Sequence, residues 1–175
     1  MPLGTTRLAL EPLAPGHASE MVTVLAPPEL YAVTGGEPPT AQELRARYER
    51  QSRGRSPTGD AGWLNWVLRT RADARAVGTV QATVTRRDPG LVADLAWLVT
   101  PSAQRRGLAV EATGAVLEWL HGQEVRVVRA MIAPGHEASA RVARQLGLSP
   151  TPAVVDGEVV WERRSDDATR PGVTR

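Results

Sequence analysis

The chain has 175 residues, 42% hydrophobic and 23% charged, a composition that predicts one soluble globular domain with a sizeable core. Its 21 basic and 19 acidic side chains leave a net charge of +2, so bulk charge does not call for nucleic acid despite a pI near 9.9. The lack of cysteine excludes disulfides, thiolate metal sites and cysteine nucleophiles and fits a cytoplasmic setting; no membrane-length apolar run is present, and Met1–Thr5 does not read as a signal peptide.

Arg7 to Leu13 alternates and ends in a proline-bearing stretch, which predicts a first strand. Ala18 to Leu25 reads as a short helix stopped by Pro27 and Pro28. Glu29 to Thr40 is a Gly- and Pro-rich loop. Thr40 with Glu43 three residues on is a capping-box pattern, so a helix is expected over Ala41 to Arg53. That helix is mostly charged. Its apolar anchors are Leu44 and Tyr48, four apart on one face, and it reads as a surface helix able to move over a site. The basic residues Arg45, Arg47, Arg50, Arg53 and Arg55 cluster here; Arg163, Arg164, Arg170 and Arg175 cluster near the end. Both groups read first as solvated faces.

Trp63 to Arg71, Ala76 to Arg87 and Leu91 to Thr100 read as three strands of an antiparallel meander, joined by hairpin-length connections. A helix follows from Leu108 to His121, closed by Gly122. Val125 to Ile132 is a β-branched-rich strand, so the order from Leu95 to Ile132 predicts a right-handed parallel crossover. Glu137 to Leu146 is helical, with Ala138, Val142 and Leu146 as its apolar stripe. A final hairpin joins Ala153–Val155 to Glu158–Glu162 through Asp156-Gly157, a strong short-range hairpin signal. The expected organisation is one domain over residues 1–165 and a polar tail over 166–175.

The stretch Gln104-Arg105-Arg106-Gly107-Leu108-Ala109 lies between a strand and a helix. A glycine turn that opens a helix leaves backbone N–H groups without intrahelical partners, at the positive end of the helix dipole. Such a place suits an anion such as phosphate, and Arg105 and Arg106 add charge to it. An ordinary connection with solvated arginines gives the same local pattern.

Three features together go further: a strand ending Val99-Thr100-Pro101, the motif Gln104-x-x-Gly107-x-Ala109, and Ala138-Ser139 leading into Arg144-Gln145-Leu146-Gly147-Leu148. Over Leu95 to Gly147, about a third of the chain, the sequence resembles the GNAT superfamily of N-acetyltransferases, more narrowly its ribosomal-protein N-terminal branch. The resemblance implies a mixed α/β (α+β) fold. Its central, mostly antiparallel sheet of six to seven strands is splayed into a V between the fourth and fifth and flanked by about four helices. It implies acetyl-CoA as co-substrate, with the pyrophosphate on the amides from Arg105 to Ala109. Gln104 belongs to the same motif, and the backbone of Leu98 and Val99 would pair with the pantetheine arm like an added strand. Gly107 is where backbone must approach phosphate, so a Cβ there should hurt.

The implied reaction is direct transfer of an acetyl group to a primary amine, on a small molecule or a peptide N-terminus, with no covalent enzyme intermediate. It needs a neutral amine, a stabilised oxyanion and a proton for the leaving thiolate. Asp94 opens the fourth predicted strand where relatives carry Glu and is the first candidate base; Glu162 is the second. Ser139 matches a position near the thioester sulfur, to donate to the leaving group, order a water or cap its helix. His136 stands where relatives carry Asn; it can touch the cofactor, act as acid or base, or cap the helix. No tyrosine is available later in that helix. Gly35, Gly36, Pro38 and Pro39, with the helix after them, are expected to wall the acceptor site. Trp63, Trp66 and Trp97 divide between core and pocket wall; Trp119 and Trp161 read as core. His17 and His121 do not read as a metal pair, and no metal is expected. An acyl donor such as aminoacyl-tRNA, or a non-catalytic CoA-binding role, remains an alternative. A monomer and a homodimer are both compatible with the sequence.

Overall fold

The structure is a computed structural model that describes residues 1–33, 35–88 and 90–165. The tail expected over 166–175, with Arg170 and Arg175, lies outside the described residues. The eight strands are β1 (Leu3–Gly4), β2 (Leu8–Pro12), β3 (Ala61–Thr70), β4 (Ala76–Arg87), β5 (Gly90–Val99), β6 (Val125–Ile132), β7 (Ser149–Val155) and β8 (Glu158–Arg164). The four α-helices are α1 (Ala18–Val24), α2 (Ala41–Gln51), α3 (Leu108–Gly122) and α4 (Glu137–Gln145). One sheet holds all strands in the order β1-β2-β3-β4-β5-β6-β8-β7. The strand count exceeds the expected six to seven because Leu3–Gly4 pairs with Ala9 and Leu10 at the sheet edge. A two-residue strand is too short to leave a periodic pattern.

Pairing is antiparallel throughout except between β5 and β6, which run parallel through the α3 crossover. That parallel ladder is short. It joins Leu91 to Asp94 with Val125 to Arg129 and then stops, although β5 continues to Val99 and β6 to Ile132. The two strands therefore diverge beyond Asp94 and Arg129, and the sheet opens as a wedge. This is the V that the resemblance implies, placed between β5 and β6 once the edge strand is counted.

The alternation along each strand divides the sheet into two faces. Leu68, Val80, Ala82, Ala93, Leu95, Val128, Ala130 and Trp161 pack with Leu108, Val116 and Leu120 of α3 and Ala140 and Ala143 of α4. On the opposite face Val67 packs with Met21 and Leu25 of the α1 segment and Leu44 and Tyr48 of α2. The capping box of α2 is present: the Glu43 amide donates to Thr40 Oγ1 at 3.2 Å and the Thr40 amide to Glu43 Oε2 at 2.9 Å. In α4 the stripe differs from expectation. Ala138 is exposed and Val142 half-buried, while Ala140 and Ala143 are buried with Leu146. The small alanines let α4 lie close to its neighbours, so the buried face follows helix position rather than side-chain bulk. Residues 156 and 157 both take positive φ, 49° and 83°, the conformation that a two-residue hairpin turn requires. Pro150 and Pro152 fall in β7, where an edge strand tolerates them.

Candidate active site

The loop from Gln104 to Gly107 sits between the end of β5 and the start of α3. Arg105 and Gly107 both adopt left-handed backbone, with φ of 58° and 75°. Alternating backbone of this kind curls successive N–H groups toward one concavity. Among the described residues, none accepts a hydrogen bond from the amides of Arg105, Arg106, Gly107, Leu108, Ala109 or Val110. The Gly107 carbonyl is already used by the Glu111 amide at 3.0 Å, so the helix is properly started and the orphan donors all lie at its N-terminus. Gln104 behaves differently. Its amide donates to the Pro101 carbonyl at 3.2 Å and its side-chain Nε2 to the Val99 carbonyl at 2.9 Å. Gln104 thus ties the loop to the strand end.

A brace not anticipated from the sequence holds the loop from the other side. Arg7 Nη1 donates to the Arg106 carbonyl at 2.8 Å, and Arg7 Nη2 lies 2.5 Å from Glu111 Oε2. Glu111 also accepts from the Arg7 amide at 2.9 Å and from Thr5 Oγ1 at 2.5 Å. Burial pushes the Glu111 carboxyl up, but the hydrogen bonds from Thr5 and Arg7 outweigh it and hold the group below the ordinary carboxylate range. Arg7 and Glu111 are 104 residues apart, so no local pattern announces the contact.

Asp94 is the last β5 residue in the parallel ladder, at the apex of the wedge. Arg129, its neighbour on β6, donates from Nε at 2.8 Å and places Nη2 at 2.7 Å, both to Oδ1. Asp94 Oδ2 has no hydrogen-bond partner among the described residues. Register then extends one lateral row across the sheet: Trp63, Thr83, Asp94, Arg129, Glu162 and Ser149. Glu162, the second carboxylate, therefore lies beyond Arg129 from Asp94. It is held by Arg164 Nε at 2.8 Å. Strand alternation puts Asp94, Ala96 and Leu98 on the α1–α2 face, opposite α3 and α4.

His136 and Ser139 meet at the start of α4, after the C-terminal end of β6. The Ser139 amide points at His136 Nδ1 at 3.5 Å, a long capping contact, and Ser139 Oγ lies 3.3 Å from His136 Nε2. Because β5 and β6 are parallel, the glycine loop and the α4 start lie at the same end of the wedge. Ligands of sheets with parallel strands collect outside their carboxyl ends.

On the α1–α2 face, two adjoining cavities of about 240 Å³ and 430 Å³ lie between α2 and the sheet. Trp63, Asn65, Gln81 and Thr83 form the floor; Arg47, Arg50 and Gln51 of α2 form the wall. Residues 35–39 line neither cavity; α2 and the loop after it do. Trp63 is the tryptophan at the cavity. Trp66 is core, stacked edge-on with Trp119 at 6.0 Å, and Trp161 is core beneath the Arg144 guanidinium at 5.3 Å.

The family model described as the acetyltransferase (GNAT) domain matches residues 7–149. This chain belongs to the GNAT acetyltransferase family. It is thereby an N-acetyltransferase. No curated protein sequence matches it. Solved structures share the fold at low identity. An acetyltransferase of Agrobacterium tumefaciens strain C58 is 22% identical with a TM-score of 0.71, covering 94% of this chain and 95% of its own. The ribosomal L7/L12 α-N-protein acetyltransferase RimL in complex with coenzyme A is 12% identical with a TM-score of 0.75, covering 95% and 99%. AAC(6')-Ib in complex with paromomycin and acetyl-CoA is 18% identical with a TM-score of 0.75, covering 94% and 98%. In this GNAT chain the wedge, the glycine loop and the α4 start are the features common to the sequence reading and the fold. No described helix is long and apolar enough to cross a membrane.

Proposed function

We propose that this chain transfers an acetyl group from acetyl-CoA to a primary amine by direct attack. The six unengaged amides from Arg105 to Val110, beside a wedge with no ladder across it, carry the reading. A diphosphate is the anion that fits a curled row of donors at a helix N-terminus. Relatives of the same fold are described with coenzyme A or acetyl-CoA bound. Bound there, the coenzyme supplies an activated thioester. Beyond Asp94 the wedge-facing edge of β5 has no ladder partner from β6 and offers backbone groups for an extended arm, while the Leu98 carbonyl lies against Gly78 of β4 and the Val99 carbonyl is held by Gln104 Nε2. A cytoplasmic setting is our reading of the cysteine-free composition.

Asp94 takes the proton of the incoming amine through Oδ2, while Arg129 fixes the orientation through Oδ1. Glu162 sits one strand further away and is committed to Arg164, so it is the weaker candidate. Ser139 and His136 stand at the mouth of the wedge, on the path of the coenzyme arm, and hold that arm or order a water there.

The test has two parts. Saturating acetyl-CoA at about 100 times Kd adds roughly 2.7 kcal/mol and should raise Tm by about 5–10 °C. Replacing Gly107 with Asp should abolish that rise; an unchanged rise would sink the loop assignment. Asp94→Asn should then lower kcat by about 10²- to 10⁴-fold with the acetyl-CoA shift intact. An Asp94→Asn enzyme with an unchanged kcat would move the base elsewhere.

A further inference from the structure

We propose that the amine acceptor carries an anionic group, a carboxylate or a phosphate, about two strand spacings from the nitrogen that is acetylated. The proposal rests on the acetyl-transfer reading above for the position of the reacting nitrogen. It stands on the arginines of α2 and the loop after it. Arg47 and Arg50 wall the smaller cavity, and Arg50, Arg53 and Arg55 the larger, with Trp63 common to both. Among the described residues none of these four arginines has a carboxylate within ion-pairing distance. The acids close by in sequence are committed elsewhere. Glu49 pairs with Arg45 at 3.2 Å, Glu43 serves the Thr40 cap, and Asp60 accepts from Ser56 and Thr58 hydroxyls at 2.6 Å each. Four like charges without a direct ion pair, set around two adjoining cavities, repel each other, and a bound anion relieves that repulsion. Gln51 Oε1, an acceptor with no hydrogen-bond partner among the described residues, is open to an N–H or O–H of the same acceptor molecule and not to its anion.

The register supplies the distance. Trp63 pairs with Thr83 on β4, and Thr83 with Asp94 on β5. Strands lie about 4.8 Å apart, so the arginine-lined floor is roughly 10 Å from the carboxylate that faces the amine. An ω-amino acid of medium length spans that gap. So does a peptide N-terminus with an acidic side chain at its second or third residue, at about 3.3–3.6 Å per residue.

Matched acceptors test this with acetyl-CoA thiol release as the readout: 6-aminohexanoate against hexylamine, and Ala-Ala-Asp-Ala against Ala-Ala-Asn-Ala. The acidic member of a pair should be preferred at least tenfold in kcat/KM. Arg47→Gln with Arg50→Gln should erase most of that preference while the acetyl-CoA shift in Tm persists. A preference confined to the peptides assigns a peptide acceptor, and one confined to aminohexanoate a small molecule. Equal use of both members, or a preference that survives the double substitution, overturns the proposal. Binding is read separately as the Tm shift given by the acidic peptide against its Asn counterpart. If no amine is turned over, a shift for the acidic peptide that the double variant loses upholds the anion site and counts against the transfer reading alone. The absence of both turnover and shift overturns the anion site, and a retained acetyl-CoA shift then leaves the coenzyme assignment standing.

Discussion

Gly107 starts α3 with φ of 75°, and among the described residues beyond its chain neighbours a Cβ there would meet Arg7 Nη2 alone, at 3.5 Å. Space is therefore not the constraint on the bare protein; backbone conformation and the approach of a ligand are. Gly107→Ala should cost about 1 kcal/mol of stability from the left-handed backbone, a Tm loss of a few degrees. It should weaken acetyl-CoA binding by more than that loss explains, which titration calorimetry would read. Tyr48 presents the opposite case. Its ring is a true anchor of α2, only 3% exposed, yet its hydroxyl has no partner among the described residues and burial pushes its pKa up to about 12. A buried hydroxyl without a partner is paid for in desolvation. Tyr48→Phe should leave Tm unchanged or raise it, by up to about 1 kcal/mol of stability; a clear drop in a melt would mean the hydroxyl has a partner in solution.

Among the elements, the ones easiest to read in the sequence are those whose signals are local. The Thr40–Glu43 box, the Leu44–Tyr48 pair and the Asp156-Gly157 hairpin rest on residues within a few positions of each other, and the order β5–α3–β6 is a succession of three such local patterns. The glycine loop belongs with them, because orphan donors at a helix start are a property of one turn. What escaped is non-local. The Arg129 partner of Asp94, the Arg7–Glu111 brace and the gathering of Arg47 to Arg55 over Trp63 depend on register and on packing between distant segments. One missed element did leave a mark. Gly78 interrupts the alternation of β4, and an isolated strand glycine signals a bulge or a close backbone approach. The register slips opposite it, between Leu68 and Arg69, and a Cβ on Gly78 would collide with the Leu98 carbonyl. Gly78→Ala should push β5 away from β4 at Leu98 and Val99. It should cost about 1–3 kcal/mol by chemical denaturation and weaken acetyl-CoA binding through the displaced strand edge, although Gly78 touches no ligand in the proposed arrangement.

Across the whole molecule, the candidate site is held at one end by the N-terminal segment and at the other by α2, which walls the smaller cavity. Thr5 and Arg7 reach Glu111 on α3, and Arg7 reaches the Arg106 carbonyl, so the N-terminal segment is fastened to the start of α3 through one carboxylate and to the glycine loop through one guanidinium. The fastening is pH-sensitive in a definite direction. The folded Glu111 carboxyl titrates below its unfolded value, so the unfolded chain takes up the proton first as pH falls. Its contribution is complete above the ordinary Glu value of about 4.3 and is lost as pH drops through the lower folded value. Other carboxylates with lowered values, Glu20 beside Arg69 among them, titrate in the same range, so acid unfolding alone does not isolate Glu111. The comparison that does is with Glu111→Gln. This variant should be about 1–2 kcal/mol less stable at pH 7, the worth of charge-assisted hydrogen bonds discounted because Arg7 is half-exposed. The gap to the parent should begin to close as pH falls below about 4.3, where the unfolded chain takes up its proton, and vanish below the lower folded value, where the folded parent carries a neutral carboxyl too. Since the brace also holds the Arg106 carbonyl, the acetyl-CoA-induced rise in Tm should shrink in Glu111→Gln at pH 7. A stability gap that stays constant down to pH 3 would show that the variant acts through packing and not through charge.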